Sequence, residues 1–299
     1  MTRNAESLSL ASALSLVAIA VIAGGCIDAG PDRITTPLYV AGTQIDAPIV
    51  GLNGAQIELD RADVAFGPLY LCAGAQAGEL CETARLEWLD SVAFDALDPA
   101  AVAAGELSGY EGTVRSWMFD LGVVSLLTQP DPLVLSAAEQ LGDASVQLAG
   151  RAIVDGVTIP FRIALVVAPQ EQTEAGVPAI RKSGSDAFGH ELNAAEPGLL
   201  IRFDARPWVT QIDFASLLED ETCETSDALV VCAGQVEQIC ESDGSLVESH
   251  DCGTFEQVCV RDRGCVERVE FDPESQAYRA VRNQVVAGPR PSFEWGFTP

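Results

Sequence analysis

Six of the nine cysteines of this 299-residue chain, Cys223, Cys232, Cys240, Cys252, Cys259 and Cys265, fall within 43 residues, separated by 8, 7, 11, 6 and 5 residues. Cysteines so crowded hold either a metal or one another. Structural zinc sites bring their cysteines two to four residues apart, and no pair here is that close, so disulfides are the better reading. Fifteen connectivities are open to six cysteines, and the spacing selects none of them. The segment also repeats itself. Glu237-Gln238-Ile239-Cys240 recurs as Glu256-Gln257-Val258-Cys259, each preceded at short range by a cysteine, Cys232 or Cys252. Two copies of a small hairpin are implied.

Cys72 and Cys81 enclose a Gly/Ala-rich stretch between two strand-like runs. A redox pair would sit closer, as in Cys-x-x-Cys, so this pair reads as a loop staple, stabilising by about 2–4 kcal/mol. Disulfides require an oxidising compartment, and the N-terminus supplies the route to one. Arg3 precedes a mostly apolar run from Leu8 to Ala23, interrupted by Ser9, Ser12 and Ser15 and closed by Gly24-Gly25. A membrane-spanning helix wants about 20 predominantly apolar residues, so residues 1–25 read as a cleaved export signal. Ile22-Ala23-Gly24-Gly25-Cys26 resembles the lipobox of bacterial lipoproteins, although Ala23 stands where leucine is usual and Glu6 dilutes the positive start. The resemblance implies that Cys26 is lipidated and becomes the mature N-terminus. Ile27 stands in place of the Asp that retains enteric lipoproteins in the inner membrane, which implies an outer-membrane address. Setting Cys26 aside leaves eight cysteines, an even number, as full pairing requires.

Residues 26–48 carry little periodicity and several breakers, Gly30-Pro31 and Pro37 among them, and read as a tether. From residue 49 to 220 the pattern is that of strands. Ile57 and Leu59, Val64 and Phe66, Leu86 and Trp88, and Val92 and Phe94 alternate with polar positions. Ser145–Val154 and Val157–Val167 flank Asp155-Gly156, a dipeptide suited to the positive φ angles of a type I′ hairpin turn. Leu199, Ile201 and Phe203 form another alternating strand, and Asp98–Ala104 and Leu133–Leu141 read as short connecting helices. The cysteine module spans 221–268. Over 269–299, Asp272-Pro273 opens a helix with the stripe Ala277, Val281 and Val285 and a stop at Gly288-Pro289. Phe293, Trp295 and Phe297 then alternate in a tail too aromatic to leave in water, so it docks on the β domain. The expected fold is mainly β: an antiparallel sandwich or barrel-like domain with a small disulfide-rich module and a C-terminal helix.

The net charge of −27 repels phosphate backbones and anionic lipid surfaces, which excludes nucleic acid as a partner and leaves membrane attachment to the lipid. Nucleophilic hydrolases need a base beside the nucleophile. The chain has two histidines. His250 lies inside the staple module, and His190 has no Gly-x-Ser-x-Gly elbow to serve. His190, Glu191 and Asp186 offer one imidazole and no free thiol, a poor zinc or copper set, and Met118 is the only methionine beyond the signal. Calcium suits the many acids, yet Ser242-Asp243-Gly244 lacks EF-hand spacing. No cofactor is expected. Paired carboxylates are the one chemistry that survives, with Asp120 (among Trp117, Met118 and Phe119), Asp204, Asp213 and Glu191 as the acids to locate. The bland reading makes these turn and cap residues.

The module resembles short cysteine-rich modules of myxobacterial surface proteins, through Cys232-Ala233-Gly234, Gln238-Ile239-Cys240, Ser242-Asp243-Gly244 and Gly264-Cys265-Val266. The whole chain is similar to myxobacterial envelope lipoproteins, a resemblance that carries no activity. It implies a lipid-anchored envelope protein with a binding or structural role toward envelope proteins or polysaccharide. The competing expectation is a carbohydrate-acting hydrolase using paired acids. Non-reducing peptide mapping is expected to recover Cys72 linked to Cys81 and no crosslink from either of them to the six cysteines of the module.

Overall fold

A computed structural model describes residues 31–74, 84–124, 133–167, 182–183, 189–219, 221–223 and 229–299. The largest sheet has eight strands, in the order β14 (Lys182–Ser183), β9 (Ser116–Phe119), β4 (Leu69–Cys72), β5 (Ala84–Trp88), β7 (Val102–Tyr110), β1 (Arg33–Ala41), β16 (Leu199–Arg202) and β23 (Ser292–Trp295). It curls. Trp117 on β9 and Phe293 on β23 lie near opposite ends of the strand order, yet their ring centroids are 4.9 Å apart. A second sheet runs β2 (Ile49–Val50), β3 (Gln56–Phe66), β12 (Val146–Val154), β13 (Val157–Leu165) and β22 (Val269–Glu270), with β6 (Val92–Asp95) also on β3. Short pairs join β8 (Gly112–Val114) to β15 (His190–Leu192) and β10 (Val123–Val124) to β11 (Leu133–Val134).

The residues from Arg33 onward form one compact unit in which both sheets share a core. Its centre is aromatic. Phe66, at the end of β3, reaches Trp88, Phe119 and Phe203 at centroid distances of 6.0, 5.2 and 5.5 Å. Burying a side chain of this size and adding favourable ring contacts gives the sheets a strong reason to close on one another.

The sequence pattern explains much of the local geometry. The apolar phase of β3 changes from odd (Ile57, Leu59) to even (Val64, Phe66), because Asp60 is an extra residue: Ala149 pairs with Arg61 and Gly150 with Leu59. Gly150 is required at this bulge, since a Cβ there would lie 2.1 Å from the carbonyl oxygen of Glu58. The expected β12–β13 hairpin is present, with Asp155 at φ 50° and Gly156 at φ 85°, as a type I′ turn demands. Helix α3 (Gln276–Ala287) buries Ala277, Tyr278, Val281 and Val285. The tail docks as expected, with β23 antiparallel to β16.

Several expectations need correction. The tether assigned to 26–48 is not one from Arg33 on: residues 33–41 form β1, near the middle of the large sheet, with Ile34, Thr36, Leu38 and Val40 turned inward. Pro37 is tolerated because the ladder to β16 begins only at Leu38. Asp98–Ala104 is no helix; the chain is irregular to Ala101 and then enters β7. Leu133–Leu141 divides into β11 and the five-residue α1 (Ser136–Gln140). Ser275, not Asp272, caps α3, its Oγ accepting from the Tyr278 N–H at 3.1 Å. The sheets are also not purely antiparallel, for β1–β16 and β13–β22 run parallel.

In the module, β17 (Val230–Ala233), β18 (Val236–Cys240) and β19 (Leu246–Asp251) form one small sheet, and β20 (Val258–Val260) and β21 (Gly264–Val266) form a hairpin. The connectivity is Cys223–Cys240, Cys232–Cys259 and Cys252–Cys265. Cys72 is disulfide-bonded, and Cys81 lies outside the described residues, as do residues 1–30 with Cys26. Replacing Phe66 with alanine is expected to lower the unfolding free energy by about 3–5 kcal/mol, measured by urea denaturation; a loss below about 1 kcal/mol would contradict the central place given to this ring.

Candidate functional site

The acids singled out from sequence are scattered. Asp120 comes directly after β9 and is buried; its backbone N–H donates to the Pro68 carbonyl (2.9 Å) and its carbonyl accepts from Gly67 (3.0 Å). Asp204 is gripped by Arg206 through both carboxylate oxygens and also accepts the Arg206 backbone N–H. Partial burial pushes its carboxyl up, but the hydrogen bonds and charge of Arg206 together outweigh that and hold it below the usual value. Asp213 accepts from the Ser216 N–H (3.3 Å) at a single 3-10 turn, Ala215–Leu218, and from Asn53 (3.1 Å). Glu191 accepts from the Thr113 hydroxyl at 2.6 Å. For Asp204, Asp213 and Glu191 these are turn, cap and cross-strand roles.

The histidines fare likewise. Adjacent residues of β15 point to opposite faces, so His190 and Glu191 do not converge. The His190 ring stacks on Trp295 at 4.1 Å, and its Nε2 lies 2.9 Å from Oε2 of Glu196. The other oxygen of Glu196 accepts from the Gly296 N–H at 2.9 Å. The trio fastens the C-terminal strand. His250 sits on β19, 3.4 Å from Glu248. Asp186 lies outside the described residues. Among the described residues no group of three or more His, Cys, Asp or Glu side chains is arranged to hold a metal, and no helix is long and apolar enough to cross a membrane.

Hollows among the described residues include three of interest. One, beside Phe119, Phe203, Trp208 and Asp204, has about 20 Å³ of room, enough for roughly one water. A second, of about 280 Å³, lies between the 3-10 turn and the start of α3. Its cations are already taken: Arg261 by Glu219 and Glu221, Arg263 by Asp272.

The third is an open groove of about 440 Å³ lined by Glu87, Trp88, Leu89, Asp90, Glu106 and Ser108. The sheet itself makes it. β5 pairs with β7 only at Leu86–Gly109 and Glu87–Ser108. Beyond Trp88 the chain bends away, with the Ser91 N–H donating to Asp90 and the Ser91 hydroxyl accepting from Ala137, and re-enters as β6 of the other sheet. β7 meanwhile shifts register against β1 at Leu38/Tyr39. Gly105 makes room there, because a Cβ would lie 2.7 Å from Nε1 of Trp88. The indole thus lies under the gap, stacked on Phe66 and only 7% exposed. Glu87 and Glu106 stand diagonally on one face of the splayed strands, a relation no periodicity in the sequence reveals.

Comparison of the chain with family models, with curated proteins and with solved structures found no match.

Replacing Arg206 with alanine is expected to destabilise the fold near neutral pH and progressively less in acid. Asp204 has its carboxyl lowered by folding, so its contribution is present above the unfolded value and lost as pH falls through the folded one. Urea midpoints of the two proteins should therefore draw together as pH falls below the ordinary aspartate value of about 4, and a difference that stays constant or widens over that range would contradict this account.

Proposed function

We propose that this chain is a lipid-anchored protein of the bacterial outer membrane that acts by binding, with no turnover of its own. The observation that carries the reading is the dispersal of Asp204, Asp213, Glu191 and the histidines into turns, caps, cross-strand bonds and a ring stack, while an open groove of about 440 Å³ presents carboxylates and an exposed leucine. The sequence supports the anchor through the lipobox-like Ile22–Cys26. Three disulfides within 43 residues suit an oxidising compartment. The partners that fit are envelope proteins or polysaccharide; the charge of −27 disfavours nucleic acid.

A second reading keeps a foothold in the same groove. Glu87 and Glu106 both line it, next to the point where the ladder of β5 to β7 ends. A glycosidase acting there would use the two as an acid pair, which needs their carboxyls roughly 5–10 Å apart. Against it, Trp88 is packed on Phe66 and offers no open ring face for a sugar.

Mass spectrometry of the protein purified from envelopes is expected to find a diacyl- or triacyl-modified N-terminal Cys26, and Cys26→Ala should move the protein into the aqueous phase of a detergent partition. In parallel, incubation with envelope polysaccharide and peptidoglycan should release no reducing ends. Release that Glu87→Gln or Glu106→Gln abolishes would establish the hydrolase instead.

A further inference from the structure

We propose that the groove beside β5 takes an extended polypeptide segment bearing lysine or arginine, which adds as a strand along Val102–Leu107. The proposal rests on the binding role above and deepens it by naming the occupant.

The backbone carries the first part of the argument. β7 is paired to β1 along nearly its whole length, from Tyr110 to Val102. On its other side the ladder to β5 ends at Ser108. Among the described residues, the peptide groups of Val102–Leu107 therefore have no strand neighbour on that side, where the sheet has parted. Half the main-chain groups of such an edge point outward unpaired, and an incoming strand satisfies them at a spacing of about 4.8 Å.

Side chains select the occupant. Leu89 is 58% exposed, which gives apolar contact at the opening. Glu87, Asp90 and Glu106 line the groove beside it, and none of the three enters an ion pair with a cation among the described residues. Trp88 closes the floor, so a segment lies along the edge and does not push into the core. A second copy of this chain is a poor occupant, because it brings its own charge of −27 to a rim of carboxylates. Acidic glycans and phosphorylated polymers are repelled in the same way. A strand with apolar and basic side chains matches the features together: main-chain donors and acceptors for the edge, an apolar group toward Leu89, cations toward the acids.

The test uses the full-length protein in detergent and three synthetic probes. These are an acetylated heptapeptide alternating valine and lysine, the same peptide with glutamate for lysine, and the lysine peptide with its central valine replaced by proline. Hydrogen exchange read by mass spectrometry should show slowed exchange at Val102–Leu107 with the lysine peptide and none with the other two. Fluorescence titration should show affinity weakened by about tenfold or more in Glu87→Lys/Glu106→Lys, and weakened by added salt. Binding of the lysine peptide without protection of Val102–Leu107, or equal binding of the proline peptide, would overturn strand addition. So would failure of the lysine peptide to bind at all. Should that failure coincide with an intact crosslink between wild-type protein and an envelope component, the binding role stands and only the occupant named here falls.

Discussion

The contact of Phe66 with Phe119, Phe203 and Trp88 is the constraint on which the rest of the structure depends. Phe66 comes from the six-stranded sheet, and the rings it meets come from the curled sheet or the segment just beyond β16. A curled sheet has an inner face that must be filled, and its own rings, such as Trp117 and Phe293, fill only part of it. The second sheet supplies the filling through β3, which forces Phe119 and Phe203 together at 5.9 Å and leaves Trp117 beside Phe293. The position of Trp88 has its origin in the same packing. Its ring is held against Phe66, so the strand that bears it cannot continue flat beside β7, and the sheet opens there. The groove is thus a consequence of how the core closes.

Much of this was legible in the sequence where a local rule decides the outcome. Asp155-Gly156 announces its turn because only positive φ angles fit a two-residue hairpin. Ala277, Val281 and Val285 announce a helix face because the period of 3.6 leaves them on one side. Where a distant partner decides, the sequence misleads. β1 was hidden by Pro37 and by Thr36, a polar residue at an inward position, and only the ladders to β7 and β16 make a strand of it. The Asp98–Ala104 stretch looks helical by composition, yet its last residues are recruited by β1. Asp272-Pro273 resembles a helix start, but Ser275 has the hydroxyl in reach of the free amide.

The site was less legible than the fold, for the same reason. Asp204 and Asp213 attract attention because of their immediate neighbours, and Arg206 and Ser216 among those neighbours turn out to be their structural partners, while Asp120 is tied through its backbone to the distant Gly67-Pro68. Glu87 and Glu106 have ordinary surroundings in the chain. They come to one groove through the register that pairs Glu87 with Ser108 and a glycine, Gly105, whose missing side chain leaves space for an indole.

The disulfide connectivity has a bearing on what a protease can do to the chain. The loops closed by Cys223–Cys240, Cys232–Cys259 and Cys252–Cys265 overlap in succession. Every peptide bond between Cys223 and Cys265 therefore lies inside at least one closed ring. A protease that nicks the module once anywhere along its 43 residues leaves the two fragments covalently joined. Downstream of the module, β22, α3 and β23 are built into the main body, the two strands each belonging to a different sheet. A single cut in the module thus cannot release the elements that finish the barrel-like body, and a chain broken there stays one molecule.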